Sequence, residues 1–322
     1  MPIAPDIVPW LLGLLGLFVG SFLNVCIHRL PDHRSIVFPG SACPACGAPI
    51  RPWQNVPVLS WIALRGRCGA CAAPISLRYP FVELLTAGLF VLAWARSEPG
   101  WELARAIVFL CAMVVLFFTD LDRRVLPDLV TLPGAAAGVA FAFLASQPGL
   151  FVSPGTWKGA LLAAGWSAAA AIGAAGALWL IGWLWRFVRP GIESAMGLGD
   201  VKMLALVGAF LGGRLTLLTV FLGSLLGTLL FAGSKLLVLF LPESAGEDRP
   251  RGASRAIRRG LEAAGFLVGP RSAGLLDQIP FGSMLAIGGA VSLLWGAPLI
   301  DRYLEISLSL GSWLADRLGA GA

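Results

Sequence analysis

The sequence predicts an all-α polytopic membrane protein of about eight transmembrane helices, with a small cytoplasmic loop that carries four cysteines. Three observations predict it. Of the 322 residues, 57% are apolar and only 13% are Asp, Glu, Lys or Arg, whereas a soluble domain carries about 25% charged residues. The apolar stretches are continuous and do not alternate as they would in a membrane β-barrel. Forty glycines are scattered through those stretches, and small residues let helices approach closely in lipid. With a mean hydropathy of +0.81, the chain is neither a soluble globular enzyme nor a disordered or collagen-like one.

A spanning helix needs about 20 apolar residues. Ile7–Ile27, Leu129–Trp157, Gly159–Trp185, Leu215–Ser234 and Gln278–Ile300 each approach or exceed that length, with ends trimmed at Pro and Gly. Leu84–Ala95, Ala106–Thr119 and Met203–Gly213 are shorter and sit between charges that suit the membrane edge. Together they make eight. The first run has no basic residue before it and no small-residue cleavage site after it, so it reads as a helix and not as a removable signal. With the N-terminus outside, 18 of the 24 Lys and Arg residues fall on the inner side. That asymmetry orients the chain, and its net charge of +6 needs no nucleic-acid partner to account for it. The domains expected are a first transmembrane helix at 1–28 and a cytoplasmic four-Cys loop at 29–80. A transmembrane domain follows at 81–301, with a cytoplasmic insertion at 242–279, and then a C-terminal interfacial tail at 302–322.

Four of the six cysteines, Cys43, Cys46, Cys68 and Cys71, form two C-x-x-C pairs separated by 21 residues. Two such knuckles place four thiolates around one tetrahedral ion, the geometry of a zinc ribbon. Gly47 and Gly69 suit the turns, and the inner side keeps thiols reduced. Two disulfides or unbound thiols are the alternative. A loop of about 50 residues is small for a core of its own, so bound Zn²⁺ would be structural. Cys26 and Cys111 lie in apolar runs and read as packed small hydrophobes.

Two acids lie where acids are costly. Asp120 ends the third helix and opens Asp120-Leu121-Asp122-Arg123-Arg124-Val125-Leu126-Pro127-Asp128; Asp200 ends Gly197-Leu198-Gly199-Asp200 and starts the sixth helix. Ionisable groups at membrane depth are usually functional. Two carboxyls brought together divide into an acid and a base, and such a pair can hydrolyse a peptide bond without a metal. Gly197 and Gly199 would let backbone approach that site. Blander readings exist for each residue: Asp120 as a cap or paired with Arg123, Asp200 as an N-cap, Asp122 in a solvated pair with the arginines, and Asp128 as a cap.

Blocks along the chain, taken in order, then resemble one family. They are Gly20–Pro31, the two C-x-x-C pairs enclosing Asn55–Trp61 and Leu64–Cys68, Pro74–Leu85, the Asp120 stretch, Gly197–Asp200 and Pro280–Gly282. All resemble the type IV prepilin peptidases, bifunctional leader peptidase/N-methyltransferases of the GxGD aspartic protease kind. The resemblance implies a multi-pass enzyme of the bacterial inner membrane, with its N-terminus periplasmic and its active site at the cytoplasmic face. Such an enzyme cleaves the leader of prepilins and pseudopilins after a Gly and then methylates the new N-terminal residue with S-adenosylmethionine. It also implies a catalytic pair at Asp120 and Asp200, with Asp122 and Asp128 matching the pattern but outside the pair. The loop Arg29–Pro80 and Glu83 are candidates for the transferase, although Glu83 could equally pair with Arg78. The chain departs from the family in the long loop near 242–279, where Arg255–Leu261 reads as a basic amphipathic stretch. Gly13, Gly16 and Gly20 read as helix-packing positions and not as a nucleotide motif. The rival readings are a peptidase without transferase activity, a presenilin-like protease, and a proton- or ion-coupled transporter. The cysteine loop argues against the presenilin-like protease, and the lack of an internal repeat of the Asp motifs argues against the transporter.

Overall fold

Every apolar run within the described residues becomes a helix, because a backbone surrounded by lipid must satisfy its own hydrogen bonds. The computed structural model describes residues 6–144, 156–188, 197–239 and 280–318. The insertion, with Arg255–Leu261, lies outside the described residues. The helices are α1 (Val8–Arg29), a short α2 (Leu59–Ala63) in the cysteine loop, α3 (Arg78–Arg96), α4 (Trp101–Arg123), α5 (Asp128–Leu144), α6 (Trp157–Val188), α7 (Leu198–Leu239) and α8 (Phe281–Leu318). Six of them are long and apolar enough to cross a membrane, and α5 is a shorter apolar helix.

The 42 residues of α7 would make a straight rod of about 63 Å, twice the thickness of a hydrocarbon core of about 30 Å. The helix is broken at Gly212, where φ is 71° and ψ is 172°, a conformation that strains any residue with a Cβ. Gly199 of the first limb lies against Leu126, and Gly223 and Gly227 of the second lie against Leu285 and Met284 at the start of α8. Leu215, just past the break, packs instead on Gly296 farther along α8. The chain therefore reverses at Gly212, and the two limbs are separate segments. Eight membrane-length or near-membrane-length segments result among the described residues, matching the expectation. Arg105 of α4 donates to the Phe210 carbonyl at 2.8 Å, which satisfies an acceptor that the break leaves without an intrahelical partner.

α4 is the central helix. One of its faces contributes Phe109, Met113 and Leu116 to a core shared with Met203, Leu206, Val207 and Phe210 of α7 and Leu285 of α8. The other sets Val114, Val115 and Phe118 against Leu23, Cys26 and Ile27 of α1 and Val82 of α3. α1 and α3 meet through glycine: a Cβ at Gly16 would stand 2.6 Å from the Ala87 Cα, and one at Gly20 would stand 2.7 Å from the Glu83 Cα. The packing reading of these glycines holds.

The cysteine loop has no sheet among the described residues. Isolated bridges join Ala42 to Pro49 and Arg67 to Pro74, one around each knuckle. The left-handed residue follows the second cysteine of each pair: Gly47 at φ 70° and Ala72 at φ 56°. Gly69, expected to supply a turn, has no positive φ.

Candidate active site

The end of the bundle that carries the cysteine loop collects the acids. Asp120 lies in the last turn of α4 and is 6% exposed. It neither pairs with Arg123 nor acts as a cap. Its Oδ2 accepts the backbone amide of Ser283 at 2.6 Å, and the Ser283 hydroxyl stands 3.0 Å away. Ser283 is the third residue of α8, so its amide is one of the donors that a helix start leaves without an internal partner. Gly282 makes this approach possible, because a Cβ there would fall 2.9 Å from Oδ2 and 3.1 Å from Cγ of Asp120.

Asp200 is the third residue of α7 and so lies inside the helix, not at its N-cap. Its amide donates to the Gly197 carbonyl at 3.1 Å. An acid in a first helical turn is favoured by the dipole. Its carboxyl has no hydrogen-bond partner among the described residues, and it lies within electrostatic reach of Asp120. Leu126, from the short link between α4 and α5, is wedged beside both acids. A Cβ on Gly199 would meet its Cβ at 3.2 Å, and one on Gly282 its Cδ1 at 3.1 Å. Two carboxyls from separate helices thus lie at one rim within electrostatic reach, walled by an apolar side chain and by glycine backbone.

The neighbouring acids hold the frame. Asp122 is buried and not solvated: Arg78 donates to its Oδ2 at 2.6 Å, and the Arg78 guanidinium stacks over the Phe118 ring at 4.6 Å. Arg123 pairs with Asp32 instead. Asp128 heads α5 and accepts from Lys202 of α7 at 2.8 Å, tying together the chain segments that carry the two acids. Glu83 does not pair with Arg78. It accepts the Val58 amide at 2.7 Å and bonds the Ser21 side chain, joining the cysteine loop to α1 and α3. Ser283 and Leu126 were not singled out by sequence. Only the Pro280–Gly282 block beside Ser283 and the Asp120 stretch containing Leu126 marked the neighbourhood.

The four loop cysteines converge. Their sulfurs all lie within 4.8 Å of one another, and those of Cys43 and Cys71 are 3.9 Å apart. Ligands about 2.3 Å from a tetrahedral ion stand about 3.8 Å apart, so the cluster can hold one metal ion. All six cysteines are free. The amides of Ala70 and Cys71 donate to the Cys68 sulfur and, with the Cys43 thiol, pull it down to about 6. Cys71 accepts from the Ala73 amide, yet the Cys46 sulfur and the other crowded thiols push it up to about 11. A cation would relieve that crowding by replacing the protons.

A bundle with six helices long and apolar enough to cross a membrane, two acids at one rim and a four-cysteine cluster defines a multi-pass membrane protein. The chain belongs to the type IV leader peptidase family: that family's model matches residues 107–232, and the model of the bacterial peptidase A24 N-terminal domain matches residues 14–97. A relative from Aeromonas hydrophila, named prepilin leader peptidase/N-methyltransferase, is 36% identical over 92% of this chain and 95% of its own length. Relatives of the same name from Myxococcus xanthus (36% identical; 93% of this chain, 94% of its own length) and Pseudomonas aeruginosa (33%; 91% and 92%) are similar throughout as well. No solved structure gives a significant match.

The glycine beside Asp120 yields a direct expectation. Gly282→Ala places a methyl against the carboxyl and against Leu126, both backed by packed helices. Catalytic turnover falls by an order of magnitude or more, while the protein still accumulates in membranes. Activity within twofold of the unsubstituted protein would contradict that packing.

Proposed function

We propose that this chain cleaves the leader of type IV prepilins and pseudopilins after a Gly at the cytoplasmic face of the inner membrane, with Asp120 and Asp200 as its catalytic pair. It then N-methylates the new N-terminal residue with S-adenosylmethionine. The observation that carries this reading is the placement of Asp120 and Asp200 at one rim of the bundle, on either side of Leu126 and within electrostatic reach of each other. Full-length similarity to relatives bearing the leader peptidase/N-methyltransferase name supports it. The excess of Lys and Arg on the cysteine-loop side supports the cytoplasmic placement.

Adjacent carboxyls hold one proton between them. The ionised carboxyl takes a proton from water, and the hydroxide adds to the scissile carbonyl carbon. The protonated carboxyl gives its proton to the carbonyl oxygen. The resulting diol collapses with rupture of the C–N bond. The departing amine takes the proton held by the first carboxyl, and the diol returns one to the second. The apolar segment of the substrate lies in lipid beside the bundle, which brings the cleaved bond to this rim.

The methyl donor supplies an electrophilic methyl group to the freed amine. A cavity of about 280 Å³ opens where α1 meets the cysteine loop, and Phe18, Phe22, Ser21, Arg29 and Asn55 help to line it. Its aromatic side chains could stack a flat base and its polar groups could bond an amino-acid moiety, so we place the donor there. Glu83 stands behind Ser21. In the cysteine quartet we place structural Zn²⁺, which the all-thiolate donor set favours. Metal analysis of purified protein is expected to give about one zinc per chain, falling sharply in Cys43→Ser and Cys68→Ser. A zinc content unaffected by those changes would rule the quartet out.

The function is tested by incubating purified protein with a pilin-like substrate and methyl-labelled S-adenosylmethionine. A new N-terminus mapped directly after Gly, carrying the label, is the expected result. No cleavage would overturn the proposal, and cleavage without label would leave the peptidase alone.

A further inference from the structure

The two carboxyls of the pair are held very differently. Asp200 has no hydrogen-bond partner among the described residues, whereas Asp120 receives two donors on one oxygen, both from Ser283. The amide is aimed from the first turn of α8, where backbone N–H groups and the helix dipole favour an anion. The hydroxyl sits between Oδ2 and the Phe117 carbonyl, which is 3.2 Å away, and its single proton serves one of them at a time. Ser283 is fully buried, so water does not replace these donors. An oxygen that accepts the Ser283 amide, and the hydroxyl whenever its proton turns that way, is poorly placed to take up a further proton. The other oxygen of Asp120, Oδ1, has no partner among the described residues.

We infer that Ser283 is the positioning residue of the site. It clamps Oδ2 of Asp120, assigns Asp120 as the base and leaves Oδ1 to take the proton from the attacking water. This rests on the aspartate-pair reading above and goes beyond it, because it distinguishes the roles of the two acids. Asp200, without such donors, carries the shared proton and delivers it to the carbonyl oxygen. Water is split into hydroxide, which bonds to carbon, and a proton, which bonds to Oδ1 and later leaves with the amine. Ser283 gains and loses nothing in the cycle. Its contribution is the orientation of the carboxylate, which must be correct before the proton moves.

The test uses the full chain in detergent or vesicles, with a pilin-like peptide as substrate. Ser283→Ala removes the hydroxyl and keeps the amide. Losing one hydrogen bond to a charged group is expected to lower kcat about 10- to 100-fold, with KM for the peptide unchanged, because Ser283 contacts Asp120 and not the substrate. Ser292→Ala is the matched control: it truncates an equally buried serine on the same helix whose hydroxyl has no partner, and its kcat stays at the unsubstituted value. Should Ser283→Ala fail to accumulate, Ser283→Gly makes the same deletion at the start of the helix. A kcat for the Ser283 variant within twofold of the unsubstituted protein, an equal fall in Ser292→Ala, or a change confined to KM would each overturn the inference. Asp120→Asn and Asp200→Asn run alongside. If both cleave normally, the aspartate-pair reading fails; if both are inactive while Ser283→Ala is normal, only the positioning role fails.

Discussion

Replacing either Asp120 or Asp200 with Asn is expected to abolish leader cleavage in membranes while leaving the protein at normal abundance. The substitution keeps the shape of the side chain and removes its ability to exchange a proton. Positioned acid–base groups contribute about 10²- to 10⁴-fold each, and in the proposed mechanism the two form one proton circuit. The double variant should therefore be little worse than either single one. The two sites differ in how well they tolerate the change. At Asp200 the amide replaces a carboxyl without hydrogen-bond partners. At Asp120 the Asn oxygen can still accept from Ser283, provided that the amide nitrogen turns away. Both variants should therefore fold. Measuring cleavage and membrane abundance in parallel checks this, and near-normal cleavage in either variant would remove that residue from the pair.

The second large effect is one of stability, at the buried ion pair. The side chains of Arg78 and Asp122 are 7% and 10% exposed. Asp122→Ala leaves the guanidinium without its counter-ion next to the Phe118 ring, and an uncompensated buried charge costs about 3–5 kcal/mol. Replacing both partners, as in Arg78→Met with Asp122→Leu, removes the charges together and should recover most of that loss. The more exposed pair of Arg123 with Asp32 provides the contrast, since breaking it should cost no more than about 1 kcal/mol. Unfolding in detergent measures all of these. Equal losses at the two pairs would contradict the buried setting of the first. Cleavage should fall along with stability in Asp122→Ala, because the pair connects the exit of the cysteine loop to the helical turn that carries Asp120.

The helical segments were legible because lipid leaves a spanning chain one local solution, and continuous apolar runs record it. The reversal within α7 could be read as well: Arg214 separates the runs Met203–Gly213 and Leu215–Ser234, and a single helix through both would be too long for the bilayer. The two acids stood out because charge is rare at that depth. Partner choice was not legible. Arg78 and Glu83 lie in the same stretch of sequence with opposite charges, which suggests a pair. Yet Arg78 reaches Asp122, 44 residues away, and Glu83 turns to the Val58 amide. Helical periodicity gives the face on which a side chain lies, but not which helix packs against that face. Ser283 was hidden for the same reason: its contact with Asp120 spans 163 residues, and a lone serine at a helix start looks like an ordinary beginning. In the second knuckle glycine is a misleading marker of the turn, because the strained position falls on Ala72 and not on Gly69.

The clamp on Asp120 also sets an order of events during biosynthesis. Both acids are translated and enter the bilayer well before residues 281–283, and until α8 is inserted nothing described here orients the first of them. A nascent chain that has passed Asp200 but not yet reached Ser283 carries both acids of the proposed pair without the two donors that hold the first of them.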